Sequence, residues 1–141
     1  MFRAAFYCGT RPGIAGLYNS LVRWLDHGRF SHCEMQFSDG LSASSSFMDG
    51  GVRFKKIGYS SVGSWEFVEL PEHLENMAYC WFLKHQGDGY DVMGNINALL
   101  GFVPHTSDKW FCSEAMAEAL GFSDSWRLKP NGLYARLTER R

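Results

Sequence analysis

The strongest constraint on the fold lies in residues 30–48, which read FSHCEMQFSDGLSASSSFM. Apolar and polar residues alternate on both sides of Asp39-Gly40, a dipeptide typical of hairpin turns. Because successive side chains of a strand point to opposite faces, this alternation predicts two antiparallel strands, each with one apolar face. The apolar faces are Cys33, Met35 and Phe37 on the first strand and Leu41, Ala43 and Phe47 on the second.

The length of the turn decides which side chains lie opposite each other. The apolar positions of both strands are odd-numbered, so they match across the ladder only when the loop has an odd number of residues. We therefore expect a three-residue turn with a glycine in the left-handed conformation, whereas a two-residue loop would pair the apolar face with serines. The expected register gathers on one polar face His32, Glu34, Ser42, Ser44 and Ser46.

His32 differs from the other histidines because Glu34 is an acidic neighbour on the same strand face. A carboxylate in that place could orient the imidazole and keep it basic. The alternatives are that His32 is structural or exposed, as a lone strand histidine usually is, and that Glu34 is a solvated strand residue.

A helical pattern follows in residues 108–122, DKWFCSEAMAEALGF. One helix face would carry Cys112, Ala115, Met116, Ala119 and Leu120. Ser107 or Asp108 could start this helix and Gly121 could end it, which places Cys112 in or near the first turn. Unpaired backbone N–H groups and the helix dipole favour a thiolate there, the form that covalent catalysis needs. The alternative is that Cys112 is a small buried hydrophobe.

The order of elements predicts the fold class. We expect strands at residues 2–8, 30–37, 41–48, 52–57 and 64–70, and helices over 14–25, 71–86, 90–102, the Cys112 segment and 129–137. Strands cluster in the first half and helices in the second, which predicts an α+β protein with an antiparallel sheet packed against helices. The 141 residues contain no repeat or linker, so residues 1–141 should form a single domain.

Composition narrows the function classes. The net charge of −1 gives no general electrostatic case for binding nucleic acid. No run is apolar enough to span a bilayer, so we expect no stable membrane insertion, and the absence of a signal-peptide pattern favours a cytoplasmic protein. The four cysteines match no zinc spacing, and His32 and Cys33 are poor joint ligands because adjacent strand residues face apart; we expect no metal and no cofactor.

Together these segments resemble a known group of enzymes. FSHCEMQFSDG, DGGVRF, GYDVMG, WFCSEAMAEALGF and KPNGLY are similar to segments of the circularly permuted papain-like, NlpC-type cysteine hydrolases, a group related to the lecithin retinol acyltransferase-like enzymes. In the permuted members the histidine strand precedes the cysteine helix, as it does here, where the pair is 80 positions apart. The resemblance covers residues 30 to about 134 and implies a permuted papain-like fold.

The resemblance also implies roles for individual residues. It makes Cys112 the nucleophile and His32 the general base. The group's third polar residue usually lies on the strand after the histidine, where this chain has Ser44 in place of the usual histidine, acid or amide. Serine could accept a hydrogen bond from the imidazole but could not stabilise imidazolium as a carboxylate does, so Glu34 is the other candidate for this role. Tyr90 and Trp110 could line the cleft or belong to the core.

Three functions fit these residues. The first is a cysteine hydrolase of the amidase or peptidase type, with cell-wall-type peptides as one substrate class. The second is a lipid-type acyltransferase or thioesterase that uses the same residues. The third is a catalytically silent binding module with this fold. The substrate implied for the enzymes is a peptide, amide or acyl compound, and the sequence indicates no particular oligomeric state.

The four cysteines should differ in reactivity. Cys8 and Cys33 lie in predicted strands, and Cys80 lies in the apolar helical stretch MAYCWFL, so burial should keep all three as neutral thiols. Cys112 has a helix N-terminus and, in this fold, an imidazole beside it. We therefore expect alkylation of the folded protein to modify Cys112 first.

Overall fold

A computed structural model describes residues 1–9, 16, 22–23, 28–59, 63–91 and 108–139. Within these ranges the chain forms a mixed α+β structure with seven strands in one sheet and three α-helices. The strands are β1 (Arg3–Tyr7), β2 (His32–Gln36), β3 (Ser42–Ser46), β4 (Gly51–Lys55), β5 (Trp65–Glu69), β6 (Gly89–Tyr90) and β7 (Lys109–Trp110). The helices are α1 (Glu75–His85), α2 (Cys112–Ala119) and α3 (Pro130–Thr138).

The sheet is mostly antiparallel, with the strand order β5-β1-β2-β3-β4-β6-β7. Its one parallel pair in the described part of the chain is β6 with β7, in which Tyr90 lies opposite Trp110. The five predicted strands are confirmed with bounds that differ by one or two residues, and the two short strands were not predicted. Tyr90 lies in β6, so the helix expected over 90–102 is wrong at its first residue, and residues 92–102 lie outside the described ranges.

The β2–β3 hairpin has the register expected from its alternation. Met35 lies opposite Ala43 and Gln36 opposite Ser42, and three residues connect the hydrogen-bonded ends Phe37 and Leu41. Gly40 in this turn has a φ of 87°, a left-handed conformation that glycine adopts without steric cost. The turn therefore places the apolar side chains of both strands on one face of the sheet.

Helices α1 and α2 cover that apolar face. The core between them and the sheet contains Cys33, Met35, Phe37, Ala43, Ala78, Phe82, Ala115, Met116 and Ala119. Phe37 is the centre of an aromatic cluster, with its ring about 4.7 Å from that of Tyr79 and 5.6 Å from that of Phe2. One expectation is wrong here: Phe47 lies beyond the end of β3 and is 37% exposed instead of joining the apolar face.

The opposite face of β2 and β3 is polar but is also buried. Glu34 and Ser44 are each 1% exposed, and Ser42 is fully buried. Tyr59, from the connection between β4 and β5, covers this face and shares a 2.7 Å hydrogen bond between its hydroxyl and that of Ser42. Glu34 is therefore not a solvated strand residue, and its charge needs partners inside the protein.

Two further expectations concern helices. The described residues of the helix predicted over 14–25, Gly16 and Val22–Arg23, are helical, and the other residues of that segment lie outside the description. The helices predicted over 71–86 and 129–137 correspond to α1 and α3, with α1 preceded by a short 3₁₀ turn at Glu72–Leu74. No described helix is both long enough and apolar enough to cross a membrane.

Candidate active site

Cys112 is the first residue of α2, so the prediction that it lies in the first turn is confirmed. The predicted start at Ser107 or Asp108 is wrong, because residues 109–110 form β7 and the helix begins only after Phe111. The predicted stop is confirmed: Gly121 has a φ of 80°, and the N–H of Phe122 donates to the carbonyl of Ala117 at 3.0 Å.

The start of α2 is anchored on both sides. The hydroxyl of Ser45 donates to the carbonyl of Trp110 at 2.5 Å, and the N–H of Asp91 donates to the same oxygen at 3.1 Å. Glu114, in the first turn, accepts a hydrogen bond from the N–H of Phe111 at 3.4 Å. These bonds connect the residues before Cys112 to β3 and to the end of β6, which fixes the position of the Cys112 thiol relative to the sheet.

Cys112 and His32 meet at the end of β2, as expected from the sequence. The Cys112 thiol lies within hydrogen-bonding reach of the His32 imidazole and of the neighbouring thiol of Cys33. His32 is the first residue of β2, and its side chain is 14% exposed. Cys112 is 3% exposed, so the pair lies just below the surface.

Glu34 supports the other side of the imidazole. Nε2 of His32 lies 2.7 Å from Oε1 of Glu34, and because an ionised carboxylate can only accept, Nε2 carries the proton and donates it. This leaves Nδ1 as the ring nitrogen that can hydrogen-bond with the Cys112 thiol. Of the two candidates for the third position, Glu34 is the one whose side chain contacts the imidazole.

Ser44 lies beside this pair but its hydroxyl is directed elsewhere. It shares the polar sheet face with Glu34, as the register required, and its Oγ donates to the carbonyl of Cys33 at 2.7 Å. The hydroxyl proton is thus donated to the backbone of β2. The arrangement gives Ser44 a structural bond next to the site.

Arg53 and Asp49 complete a network that the sequence did not reveal. Arg53, on β4, donates two hydrogen bonds to Glu34, of 2.7 Å from Nη1 and 2.5 Å from Nη2. Its Nε donates to Asp49 at 2.8 Å. Arg53 lies opposite Ser44 in the β3–β4 ladder, so a prediction of that second register would have placed it on the polar face with Glu34.

These contacts set the charges at the site. Burial alone would raise the pKa of Glu34, but the hydrogen bonds and charges of Arg53 and His32 outweigh it and lower that pKa to about 2. Burial alone would lower the pKa of His32, whereas its hydrogen bonds with Cys112 and Glu34 and their negative charges raise it to about 9. The imidazole is therefore protonated at neutral pH.

The two thiols respond in opposite directions. The hydrogen bond from Cys33 is the main influence that holds the pKa of Cys112 well below its usual value; burial opposes it, and the His32 imidazolium adds to it. Burial and the neighbouring Cys112 thiolate raise the pKa of Cys33 well above its usual value. These shifts favour the ionised form of Cys112 beside His32 and the neutral form of Cys33.

Tyr90 and Trp110, which the sequence left as cleft or core residues, contact other side chains. Trp110 is 5% exposed, its indole N–H donates to Asp88 at 3.0 Å, and it belongs to the core; Tyr90 is half-buried and its ring meets the edge of Phe47. Ser31 and Ser113, the chain neighbours of His32 and Cys112, have buried hydroxyls without a hydrogen-bond partner. An unpartnered buried hydroxyl costs about 1–3 kcal/mol, which a bound water or substrate oxygen would remove.

The other cysteines partly correct the expected order of reactivity. Cys33 is buried, as expected, but Cys8 is half-buried and Cys80 is exposed on the outer face of α1. Burial therefore does not protect Cys80. Among the described residues there is no group of three or more histidine, cysteine or acidic side chains that could hold a metal ion.

No protein-family model matches the chain, and no curated protein sequence matches it. The geometry of the site therefore carries the functional argument.

Proposed function

We propose that this protein is a cysteine hydrolase of the amidase or peptidase type, with Cys112 as nucleophile and His32 as general acid and base. The observation that carries the proposal is the contact between a thiol at a helix N-terminus and an imidazole whose far nitrogen is held by a buried carboxylate. A permuted papain-like arrangement, with the histidine strand before the cysteine helix, is part of the same proposal.

The first half of the reaction forms an acyl-enzyme. The Cys112 thiolate attacks the carbonyl carbon of an amide, peptide or ester, and the carbonyl electron pair moves to oxygen. The tetrahedral intermediate then collapses, the bond to the leaving group breaks, and the His32 imidazolium gives its proton to the departing nitrogen or oxygen. The products of this half are a thioester on Cys112, a free amine or alcohol and a neutral imidazole.

The second half returns the site to its resting state. Neutral His32 takes a proton from a water molecule, whose oxygen attacks the thioester carbonyl. Collapse of this second intermediate releases the acid and restores the Cys112 thiolate and the imidazolium. Glu34 keeps the ring in one tautomer and stabilises its positive charge throughout, without itself taking a proton.

The start of α2 supplies the stabilisation of negative charge on the substrate oxygen. The first N–H groups of a helix have no partner within the helix and point toward its N-terminus. The backbone N–H of Cys112, with one further donor nearby, would therefore face the oxyanion formed in both steps. Donors of this kind contribute about 3–4 kcal/mol of transition-state stabilisation in cysteine- and serine-type hydrolases.

The alternatives receive less support from the geometry. A lipid-type acyltransferase needs an apolar channel beside the nucleophile. An apolar cavity of about 150 Å³ instead lies at the C-terminal end of α2. Its lining includes Leu70, Leu74, Leu120 and Phe122. Cys112 is at the opposite end of this helix, about 12 Å away at the usual rise per residue. A silent binding module would have no use for a thiolate–imidazolium pair.

The test is formation and turnover of an acyl-enzyme. The protein is mixed with p-nitrophenyl acetate and with acetyl-peptide amides, and release of nitrophenol is followed while mass spectrometry locates the acetyl group. We expect a burst of one nitrophenol per chain, acetylation at Cys112, and loss of both in Cys112→Ala. The matched control is Cys80→Ala, which removes an exposed thiol and should leave the burst unchanged.

Each other outcome identifies an alternative. An acetyl group that passes to an added amine or thiol acceptor faster than to water indicates an acyltransferase. Equal acetylation of Cys80 and Cys112, or a burst that persists in Cys112→Ala, contradicts the proposal and leaves the silent module.

A further inference from the structure

Arg53 is the most constrained side chain behind the catalytic pair. Its guanidinium makes three hydrogen bonds, two to Glu34 and one to Asp49, at 2.5–2.8 Å. The side chain is only 15% exposed, and that of Glu34 is 2% exposed. Both planar ends of the guanidinium are thus occupied, so it can turn only if it breaks carboxylate bonds.

A buried ion pair of this kind contributes little to the net stability of a fold. Removing two charges from water costs several kcal/mol, and well-packed apolar residues of similar volume often stabilise a fold as well or better. The two-pronged contact instead fixes direction, because a guanidinium and a carboxylate in register share one plane. That plane determines where Oε1 of Glu34 points, and Oε1 is the atom that holds Nε2 of His32.

We propose that Arg53 is a positioning residue that fixes the Glu34 carboxylate against His32, and that it acts on Cys112 only through that carboxylate. Asp49 in turn holds the guanidinium from the β3–β4 turn. This inference rests on the proposed function, since it assigns Arg53 a part in the same thiolate–imidazolium site. Cys112, His32, Glu34, Arg53 and Asp49 then form, in this order, a single line of contacts from the thiol to the surface.

Direct repulsion between Arg53 and the imidazolium is the competing effect, and its sign is opposite. Removing the guanidinium charge would by itself favour a protonated His32. This effect is small because the two negative charges of Asp49 and Glu34 already outweigh the single positive charge of Arg53, whereas loss of Arg53 frees a carboxylate that hydrogen-bonds to the ring directly. The orienting effect should therefore decide the outcome.

Other titratable groups also face this part of the sheet and must be kept constant in the test. They are Tyr7 and Arg3 on β1, Cys33 on β2, Lys55 on β4, Tyr59 on the covering connection and Cys112 on α2.

The experiment is a double-mutant cycle read by the reactivity of Cys112. Alkylation by iodoacetamide is measured between pH 4 and 9, with mass spectrometry to separate the cysteines, in wild type, Arg53→Met, Glu34→Gln and the double variant. We expect Arg53→Met to slow alkylation of Cys112 at neutral pH roughly five- to tenfold and to move the acidic limb of the profile upward by about one pH unit. Added to Glu34→Gln, the same substitution should change the rate by less than about twofold.

Controls separate positioning from folding. Arg136→Met removes another arginine that is paired with a carboxylate, Asp124, far from the site, and should leave the profile unchanged. Arg53→Lys keeps the charge but cannot make the two-pronged contact, so it should restore only part of the rate. If Arg53→Met does not fold by circular dichroism, Asp49→Asn loosens the guanidinium from the surface side and should show a smaller loss that again vanishes beside Glu34→Gln.

Two results would overturn the inference: an Arg53→Met profile that superimposes on wild type, or an equal loss in the presence and absence of Glu34. His32→Gln distinguishes this failure from failure of the proposed function. If His32→Gln abolishes the enhanced reactivity of Cys112 and Arg53→Met does nothing, only the role of Arg53 is wrong. If His32→Gln also has no effect, the catalytic pair itself is wrong.

Discussion

Helices α1 and α2 both pack on the apolar face of the sheet, and each carries one cysteine, yet the two thiols have very different surroundings. Cys80 lies in the middle of α1 on its outer face and is exposed. Cys112 is the first residue of α2, is nearly buried, and meets an imidazole and a second thiol. The difference indicates that position on the helix and the facing strand, more than accessibility, determine which polar groups surround each thiol.

Removing the imidazole should reduce the difference in reactivity between Cys112 and Cys80 more than any other change. In His32→Gln the Cys112 thiol loses a hydrogen bond and a positive charge, so its pKa rises and its alkylation at pH 7 should fall roughly 100-fold. Cys80 in the same molecule is the internal reference and should react at an unchanged rate. Equal rates for Cys112 in both proteins would mean that the thiol gains nothing from His32.

Lowering the pH should increase the difference in alkylation rate between Cys112 and an ordinary thiol. The pKa of Cys112 is held well below its usual value, so its thiolate persists as the pH falls. An unperturbed cysteine in a model peptide, with a pKa near 8.5, loses roughly 75-fold in reactivity between pH 8 and pH 6. Stopped-flow alkylation should show a nearly constant rate for Cys112 over this range, and a parallel decline would contradict the ion pair.

Glu34 links the α2 site to acid stability. Its pKa is about 2 in the folded protein and near 4.5 when unperturbed, so the stabilisation that it contributes is fully present above pH 4.5 and is lost as the pH falls toward 2. The loss should be on the order of 3 kcal/mol in the free energy of unfolding. Urea unfolding at pH 6 and pH 3 should show a smaller change in Glu34→Gln, and identical changes in both proteins would assign the acid sensitivity elsewhere.

Substitution of Cys33 should also change the reactivity of Cys112, because Cys33 is the main group that lowers the pKa of Cys112. Cys33→Ala removes the S–H donor and should slow alkylation of Cys112 at neutral pH roughly tenfold. Cys33→Ser is the matched variant, since its hydroxyl can still donate, and it should retain most of the rate. If alanine and serine behave alike, packing rather than hydrogen bonding at residue 33 controls the thiol.

Ser44→Ala should have the smallest effect. Its hydroxyl donates to the carbonyl of Cys33, so the substitution should cost about 1 kcal/mol of stability and change the Cys112 rate by less than about twofold. Thermal unfolding and alkylation measured on the same sample would check both numbers. A rate loss as large as that of Glu34→Gln would return Ser44 to the third position of the site.

The sequence predicted the parts of the site that depend on local patterns. Alternation around Asp39-Gly40 specifies the β2–β3 register, because a shift by one residue would expose the apolar face. The same register put Glu34 on the face of His32. Helical periodicity likewise predicted α2, and Cys112 lies in its first turn although the predicted start signals were wrong.

The rest depends on contacts between distant segments, which such patterns do not encode. The start of α2 was misplaced because β7 pairs with β6, and that pairing overrides the start signal at Ser107 or Asp108. Arg53 was missed because its partner Glu34 lies two strands away in the sequence. Cys80 was expected to be buried because apolar neighbours surround it in the chain, although the turn of the helix directs it outward.

The β2–β3–β4 meander has a consequence for the order in which the site comes into being. Everything that prepares the imidazole lies between His32 and Arg53, in consecutive antiparallel strands joined by short turns, whereas the thiol enters only with α2. Contacts between near neighbours in the chain form sooner than contacts that close a long loop. A chain leaving the ribosome would thus carry the histidine half first, and it would gain a reactive sulfur only when α2 docks.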